Sequence, residues 1–258
     1  MDYKTNNKAL TLLLPIQANE DVRVVVYDKF KANTIYSDRT SKIKGKENFI
    51  IRLPQSPRFA SIRVISKSGR HRVLEPKEVP LKTKVSAFNY KDPVIISFVT
   101  FAQEFAENAA ILDANDAVYR SDDGVVCVKY VNAIKNPKTG EEMNTPARIG
   151  VQTGTAEISK SKFLAYNVQG RVAILLHEFS HFYLNKNIKN EVEADKNALR
   201  ILLGLGYSKT EIASIFLKVL HNSENRENKK RYLILEDFLK NFEKHTFSGY
   251  YYNNNEKK

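Results

Sequence analysis

Two histidines in the sequence have the spacing of a metal site. His177 and His181 belong to the segment HEFSH, in which Glu178 follows the first histidine. Apolar residues flank this segment with helical periodicity, and residues four positions apart lie on one face of a helix. Both imidazoles can therefore approach one metal ion from the same side. After nine intervening residues there follows an acidic segment, EVEAD, which runs from Glu191 to Asp195.

The two segments are predicted to lie on two helices joined by a polar bend at 186–187. In an antiparallel pair of this kind, Glu191 and Asp195 lie level with the two histidines. Glu191 has the longer reach and is the predicted third ligand. Glu193 lies about two hundred degrees around the helix from Glu191, so we expect it to point away. Asp195 is predicted to accept the other ring N–H of a liganding histidine and to fix its orientation.

The acid between the two histidines has a predicted catalytic role. A catalytic zinc site has three protein ligands and one open position for water. Glu178 would face that open side, where it can take a proton from zinc-activated water and pass it to a leaving amine. This is amide hydrolysis without a covalent intermediate. The alternative is that these polar side chains only solvate the exposed face of a helical pair.

HEFSH followed by EVEAD resembles the zincin metallopeptidases, in particular the gluzincin branch, whose second motif reads ExxAD. The resemblance implies that the two histidines and Glu191 bind Zn²⁺, that Glu178 is the general base and that Asp195 supports the site. It also implies a core of one scaffold helix, a small sheet with an edge strand and the two motif helices, which matches residues 92–203. The spacing between the motifs is shorter than is usual in that branch. The resemblance is therefore to a minimal soluble form.

Zincins bind the substrate backbone along an edge strand, and they stabilise the oxyanion with a separate donor. The segment IGVQTGTAEI, residues 149–158, is predicted to be this strand, although an ordinary edge strand fits it equally well. The candidate substrate contacts on it are Val151, Thr153 and Thr155. The candidate oxyanion donors are Tyr207, His221 and Arg200, among which the sequence does not choose.

The predicted fold class is α+β, with a small antiparallel β domain followed by a zincin-like domain and a C-terminal helical extension. Residues 1–85 contain short strand patterns bounded by turn residues, which is typical of a sandwich or barrel. The proline-containing stretch 76–84 predicts a linker. Residues 86–248 are predicted to form the metallopeptidase domain. The polar tail, 249–258, is predicted to be flexible.

The net charge, the apolar segments and the cysteine content limit the kinds of partner that the protein could bind. The 258 residues carry a formal net charge of +12, which suits nucleic acid, an anionic surface or an acidic partner. No nucleic-acid-binding motif accompanies this charge, so a lysine-rich solvated surface is the simpler interpretation. No apolar run approaches the roughly 18 residues of a membrane span, and no secretory signal is evident. With a single cysteine, Cys127, we expect a cytoplasmic protein that acts on a peptide or protein substrate away from membranes.

A structural role is the competing hypothesis. A separate β domain, a basic surface and a polar tail would suit a subunit of a large assembly, such as a virion or a homo-oligomeric ring. In that case the zincin-like fold could bind zinc without important catalysis. The sequence leaves the choice between catalysis and assembly open.

Overall fold

The structure is a computed structural model with an α+β architecture, which is the fold class that the sequence predicts. It describes residues 1–31, 33–83, 91–221 and 226–247, with only the backbone of residues 220–221 and 243–247. The described residues form twelve strands in three sheets and six helices. None of these helices is both long enough and apolar enough to span a membrane. The predicted domain boundary at residue 85 and the predicted tail lie outside the described residues.

The first eight strands form two antiparallel sheets that contribute to one hydrophobic core. They are β1 (Asp2–Lys4), β2 (Leu10–Ala18), β3 (Asp21–Asp28), β4 (Ile35–Lys42), β5 (Gly45–Leu53), β6 (Phe59–Ser66), β7 (Arg72–Val73) and β8 (Lys77–Pro80). One sheet has the order β1-β6-β3-β4, and the other places β2 between β5 and the pair β7 and β8. Successive side chains of a strand point to opposite faces. The even-numbered residues of β2 and β3, such as Leu12, Leu14, Val24 and Val26, are therefore all buried.

The third sheet lies next to the motif helices and has the order β11-β12-β10-β9. Its strands are β9 (Ala117–Arg120), β10 (Cys127–Val131), β11 (Ala147–Ile149) and β12 (Thr155–Ser159). β12 pairs in parallel with β10 on one side and antiparallel with β11 on the other. Within the described part of the chain, β11 is thus an edge strand and β12 is internal.

Two predictions about strands are wrong. The predicted edge strand begins too early, because Val151 and Thr153 lie in the turn after β11, while Thr155 starts the internal strand β12. The predicted linker contains β8, which pairs with Leu10–Leu13 of β2. In both places a pairing partner distant in sequence determines the strand, and local composition does not reveal it.

Capping side chains mark the start of the helices described below. They are α1 (Pro93–Asn108), α2 (Lys160–Phe163), α3 (Val168–Tyr183), α4 (Glu191–Gly204), α5 (Lys209–His221) and α6 (Arg226–Phe247). The side chain of Asp92 accepts a hydrogen bond from the Val94 N–H, and Pro93 occupies the first helical position. Asn167 caps α3 by accepting from the Gly170 N–H at 2.9 Å. These caps satisfy amides that have no partner within the helix.

The β sheets of residues 1–83 pack directly against the helices. Tyr36 on β4 donates to Glu107 on α1, and Ser37 donates to Glu211 on α5. The Gln55 amide donates to the Gln103 carbonyl oxygen at 2.8 Å. A single hydrophobic cluster extends from these sheets through α1 into α3 and α4. The position of the motif helices therefore depends on packing along the described chain as a whole.

We predict that Phe179→Ala destabilises the protein by about 4 kcal/mol. Phe179 is fully buried in the middle of α3, where its ring lies against Phe98 and Phe101 of α1. Truncation would leave a cavity under the motif helix. Urea unfolding followed by circular dichroism measures the loss of the free energy of unfolding. Leu233→Ala on α6 is the control, because Leu233 is 55% exposed and its truncation should cost under about 1 kcal/mol. Equal losses for the two variants would contradict the packing described here.

Candidate metal centre

The two motif helices bring His177, His181 and Glu191 together. α3 presents the two histidines one helical turn apart, and Glu191 is the first residue of α4. The Asn190 side chain accepts a hydrogen bond from the Glu193 N–H at 3.1 Å and starts the helix there. The sequence pattern predicts a start near residue 188, three residues too early. Because α4 starts at Glu191, this side chain lies at the N-terminal end of the helix, next to His177 and His181.

The donor atoms of these three side chains converge on one point. The Nε2 atoms of His177 and His181 are 3.0 Å apart. Glu191 Oε2 lies 3.4 Å from His177 Nε2, and Glu191 Oε1 lies 3.5 Å from His181 Nε2. Among the residues that the structure describes, this is the one group of three such side chains whose ligand atoms all lie within 4.8 Å of one another.

The other ring nitrogen of each histidine has an acceptor, which determines where the ring proton is. His181 Nδ1 lies 2.7 Å from the Ile188 carbonyl oxygen, and His177 Nδ1 lies 2.8 Å from Asp195 Oδ1. A carbonyl or carboxylate oxygen can only accept, so each Nδ1 carries a proton. In the neutral rings both Nε2 lone pairs therefore point into the space beside Glu191. A cation is needed there, since two facing lone pairs repel one another.

The donor set fits Zn²⁺. Zinc–ligand distances of about 2.0–2.2 Å in a tetrahedral site place the ligand atoms about 3.3–3.5 Å apart. The separations to the carboxylate, 3.4 and 3.5 Å, match this value, and the separation of 3.0 Å between the two nitrogens requires only a small movement. Two imidazoles and one carboxylate are also a ligand combination that zinc enzymes use.

Arg231 on α6 holds the carboxylates of the site, and the sequence does not predict it as a site residue. Its Nε and Nη2 each donate to Asp195 at 2.9 Å, and Nη1 lies 3.1 Å from Glu191 Oε2. Asp195 is 1% exposed, so its charge needs these partners. The available signal was that Arg231 lies one turn before the buried Leu235, on the core-facing side of α6. The carboxylate it meets lies 36 residues earlier in the sequence, which no local pattern reveals.

The electrostatics of the centre favour charged carboxylates. The hydrogen bond with His177 lowers the pKa of Glu191 more than burial raises it. Burial alone would raise the pKa of Asp195, but the hydrogen bonds from His177 and Arg231 lower it overall. Burial likewise opposes the charge on His177, but Asp195 and Glu191 outweigh burial and raise its pKa to about 10. Burial and the nearby His177 charge lower the pKa of His181. In the metal-free protein, a proton on His177 therefore supplies the cation between the two rings.

Glu178 lies beside the donor set and has an unusual protonation equilibrium. Burial raises the pKa of its carboxyl group to about 7, although the His177 charge and the Ile149 backbone amide act in the opposite direction. A carboxylate in this state can both accept and release a proton near neutral pH. The side chain lines the same cleft as the three candidate ligands.

A cleft of about 440 Å³ opens over the centre. β11 forms one wall through Arg148 and Ile149, and apolar side chains of α5, including Ile215 and Phe216, form another. The turn after β11 approaches α3 closely at Gly154, whose φ is +65°. A Cβ atom there would lie 2.7 Å from a carbon of the Phe182 ring, so only glycine fits. This contact holds the edge strand next to the motif helix.

The sequence also proposes candidates for substrate contact and for oxyanion stabilisation, and of those that the structure describes, one lines the cleft. Glu193 accepts from the Lys186 N–H at 3.2 Å and faces the bend, as predicted. Of the three edge-strand candidates only Val151 lines the cleft. Tyr207 is buried in the core and Arg200 packs over the Phe238 ring, and neither lines the cleft. The His221 side chain lies outside the described residues.

No protein-family model, no curated protein and no solved structure matches this chain significantly.

Proposed function

We propose that this protein is a zinc-dependent peptidase of the zincin type. The observation that carries the proposal is the convergence of two imidazoles and one carboxylate beside Glu178, at the floor of an open cleft. The resemblance of HEFSH and EVEAD to the gluzincin motifs points to the same chemistry. His177, His181 and Glu191 would hold the Zn²⁺. Asp195 would orient His177 through the hydrogen bond to its Nδ1.

The side chains around the centre have separate roles in this proposal. Bound Zn²⁺ would supply Lewis acidity, which polarises a carbonyl group and makes water a nucleophile near neutral pH. Glu178 would take the proton of the attacking water and deliver it to the leaving amine nitrogen. Its raised pKa suits both transfers. The buried ion pairs of Arg231 would keep the carboxylates in place during this cycle.

The free edge of β11 is the proposed binding place for the substrate backbone. Among the strands that the structure describes, β11 pairs only with β12, and Ile149 lies next to Glu178. An extended peptide adding to this edge would receive main-chain hydrogen bonds and lie across the cleft. The α5 side chains would then contact an apolar residue of the peptide. This assignment replaces Thr153 and Thr155, which do not line the cleft.

We predict that the protein binds one Zn²⁺ per chain. His177→Ala or His181→Ala should weaken zinc binding at least about 100-fold, because each removes one of three ligands. Elemental analysis of dialysed protein and competition with a chromophoric chelator measure stoichiometry and affinity. His71→Ala is the matched control, since His71 lies in the connection between β6 and β7 and contacts Ser66. Stoichiometric zinc retained in the His177 and His181 variants would place the metal elsewhere.

We predict that Glu178→Gln retains zinc but cleaves peptides at least about 100-fold more slowly. Glutamine keeps the size of the side chain and removes its ability to accept a proton. Mass spectrometry of a proteome-derived peptide mixture detects cleavage of whichever peptides the protein accepts. Glu193→Gln on the same helical pair should leave the rate unchanged, because its side chain faces the bend. Undiminished cleavage by the Glu178 variant would exclude the proposed mechanism.

We predict that Asp195→Asn weakens zinc binding by about 10- to 100-fold and lowers the free energy of unfolding by about 3 kcal/mol. The change removes the negative charge and one of the two acceptor oxygens, and it places an amide NH2, which can only donate, against His177 or the half-buried Arg231 guanidinium. Chelator competition and urea unfolding measure the two effects. Asp237→Asn on the exposed side of α6 makes the same charge change and should alter neither quantity. If both variants behave alike, Asp195 does not support the site.

A further inference from the structure

A second cavity adjoins the metal cleft on the side of α4 and α6. Lys189, Glu191 and Arg231 line both cavities, so their side chains form the partition between them. The second cavity has a volume of about 540 Å³. Its remaining wall comes from the first residues of α6, including Arg226 and Lys230. The second cavity therefore begins directly beside the proposed metal centre.

The second cavity carries an excess of positive charge. Four cationic side chains line it, against the two carboxylates of Glu191 and Glu227. Arg231 and Glu191 pair with each other at 3.1 Å. Lys189, Arg226 and Lys230 are exposed, and no ion pair engages them among the residues that the structure describes. One carboxylate, that of Glu227, is thus left to balance three cations.

We infer that this cavity binds an acidic side chain of a peptide that lies in the metal cleft. The free cations complement a carboxylate, and the shared wall places them next to the proposed reacting centre. The inference names the substrate class for the proposed peptidase and rests on that proposal. Acidic residues of the substrate would lie on the α4–α6 side, whereas the α5 wall would contact an apolar residue.

Binding of two labelled peptides tests the inference. Both are ten residues long, carry the same uncharged dye and differ only in having Asp or Ser at alternate positions. Fluorescence anisotropy with zinc-loaded Glu178→Gln protein measures binding without turnover. The acidic peptide should bind about tenfold more tightly, and Arg226→Glu/Lys230→Glu should abolish this preference. Lys189→Glu, in the bend before α4, should reduce it independently.

The control separates the cavity from the charge of the whole chain. Lys46→Glu/Lys67→Glu changes two exposed lysines of the N-terminal sheets and alters the net charge equally. It should retain the preference. Equal binding of the two peptides would overturn the inference. An equal loss of the preference for the acidic peptide in both double variants would also overturn it. Tighter binding of a labelled single-stranded DNA than of the acidic peptide, lost in the Arg226/Lys230 variant, would also overturn it and assign the cavity to nucleic acid.

Cleavage by the wild-type protein distinguishes this inference from the proposed function. Preferential binding of the acidic peptide with no cleavage of any peptide would support the cavity and contradict the peptidase. Cleavage of both peptides with equal affinities would support the peptidase and contradict the cavity.

Discussion

The close approach of two imidazole nitrogens is the constraint on which the site depends. His177 and His181 face each other at 3.0 Å with their Nε2 atoms, and both Nδ1 protons are already donated to the Asp195 carboxylate and the Ile188 carbonyl. Two neutral rings held in this way repel one another unless a cation lies between them. A proton on His177 meets the requirement in the metal-free protein. A metal ion held also by Glu191 would meet it with better geometry, because the carboxylate lies at the matching distance from both nitrogens.

The rest of the chain holds the two rings in this arrangement. α3 is buried over most of its length, with the aromatic side chains of α1 on one side and the first β sheets beyond them. The buried Arg171 side chain donates to the Ala106 carbonyl at 3.2 Å and ties the start of α3 to the end of α1. The N-terminal sheets thus contribute to the site by packing, although they carry none of its donor atoms. Interiors packed in this way have low compressibility and hold side chains in fixed rotamers.

Charge is distributed unevenly around the metal centre: one side is cationic and the other is apolar. Arg231 pairs with the buried Asp195 carboxylate and with the partly exposed Glu191 carboxylate, so neither carboxylate lacks a cationic partner. Beyond Arg231 the surface is cationic, whereas the α5 wall of the cleft is apolar. A bound peptide would therefore meet different chemistry on the two sides of the reacting centre. The net charge of +12, which says little by itself, becomes informative where exposed cations line the cavity beside the metal cleft.

The amino-acid sequence alone specifies the helical pair and the identity of the converging side chains. These are local properties. The positions of His177, His181 and Glu191 relative to one another follow from a helical period of 3.6 residues, a cap at Asn167 and a short bend. Which strand forms the edge of the cleft is visible only in the tertiary structure, because strand pairing joins segments that are distant in sequence. For the same reason it alone revealed Arg231, whose partner Asp195 lies on another helix. Periodicity within one segment specifies which face is buried, but not which side chain of another segment meets it there.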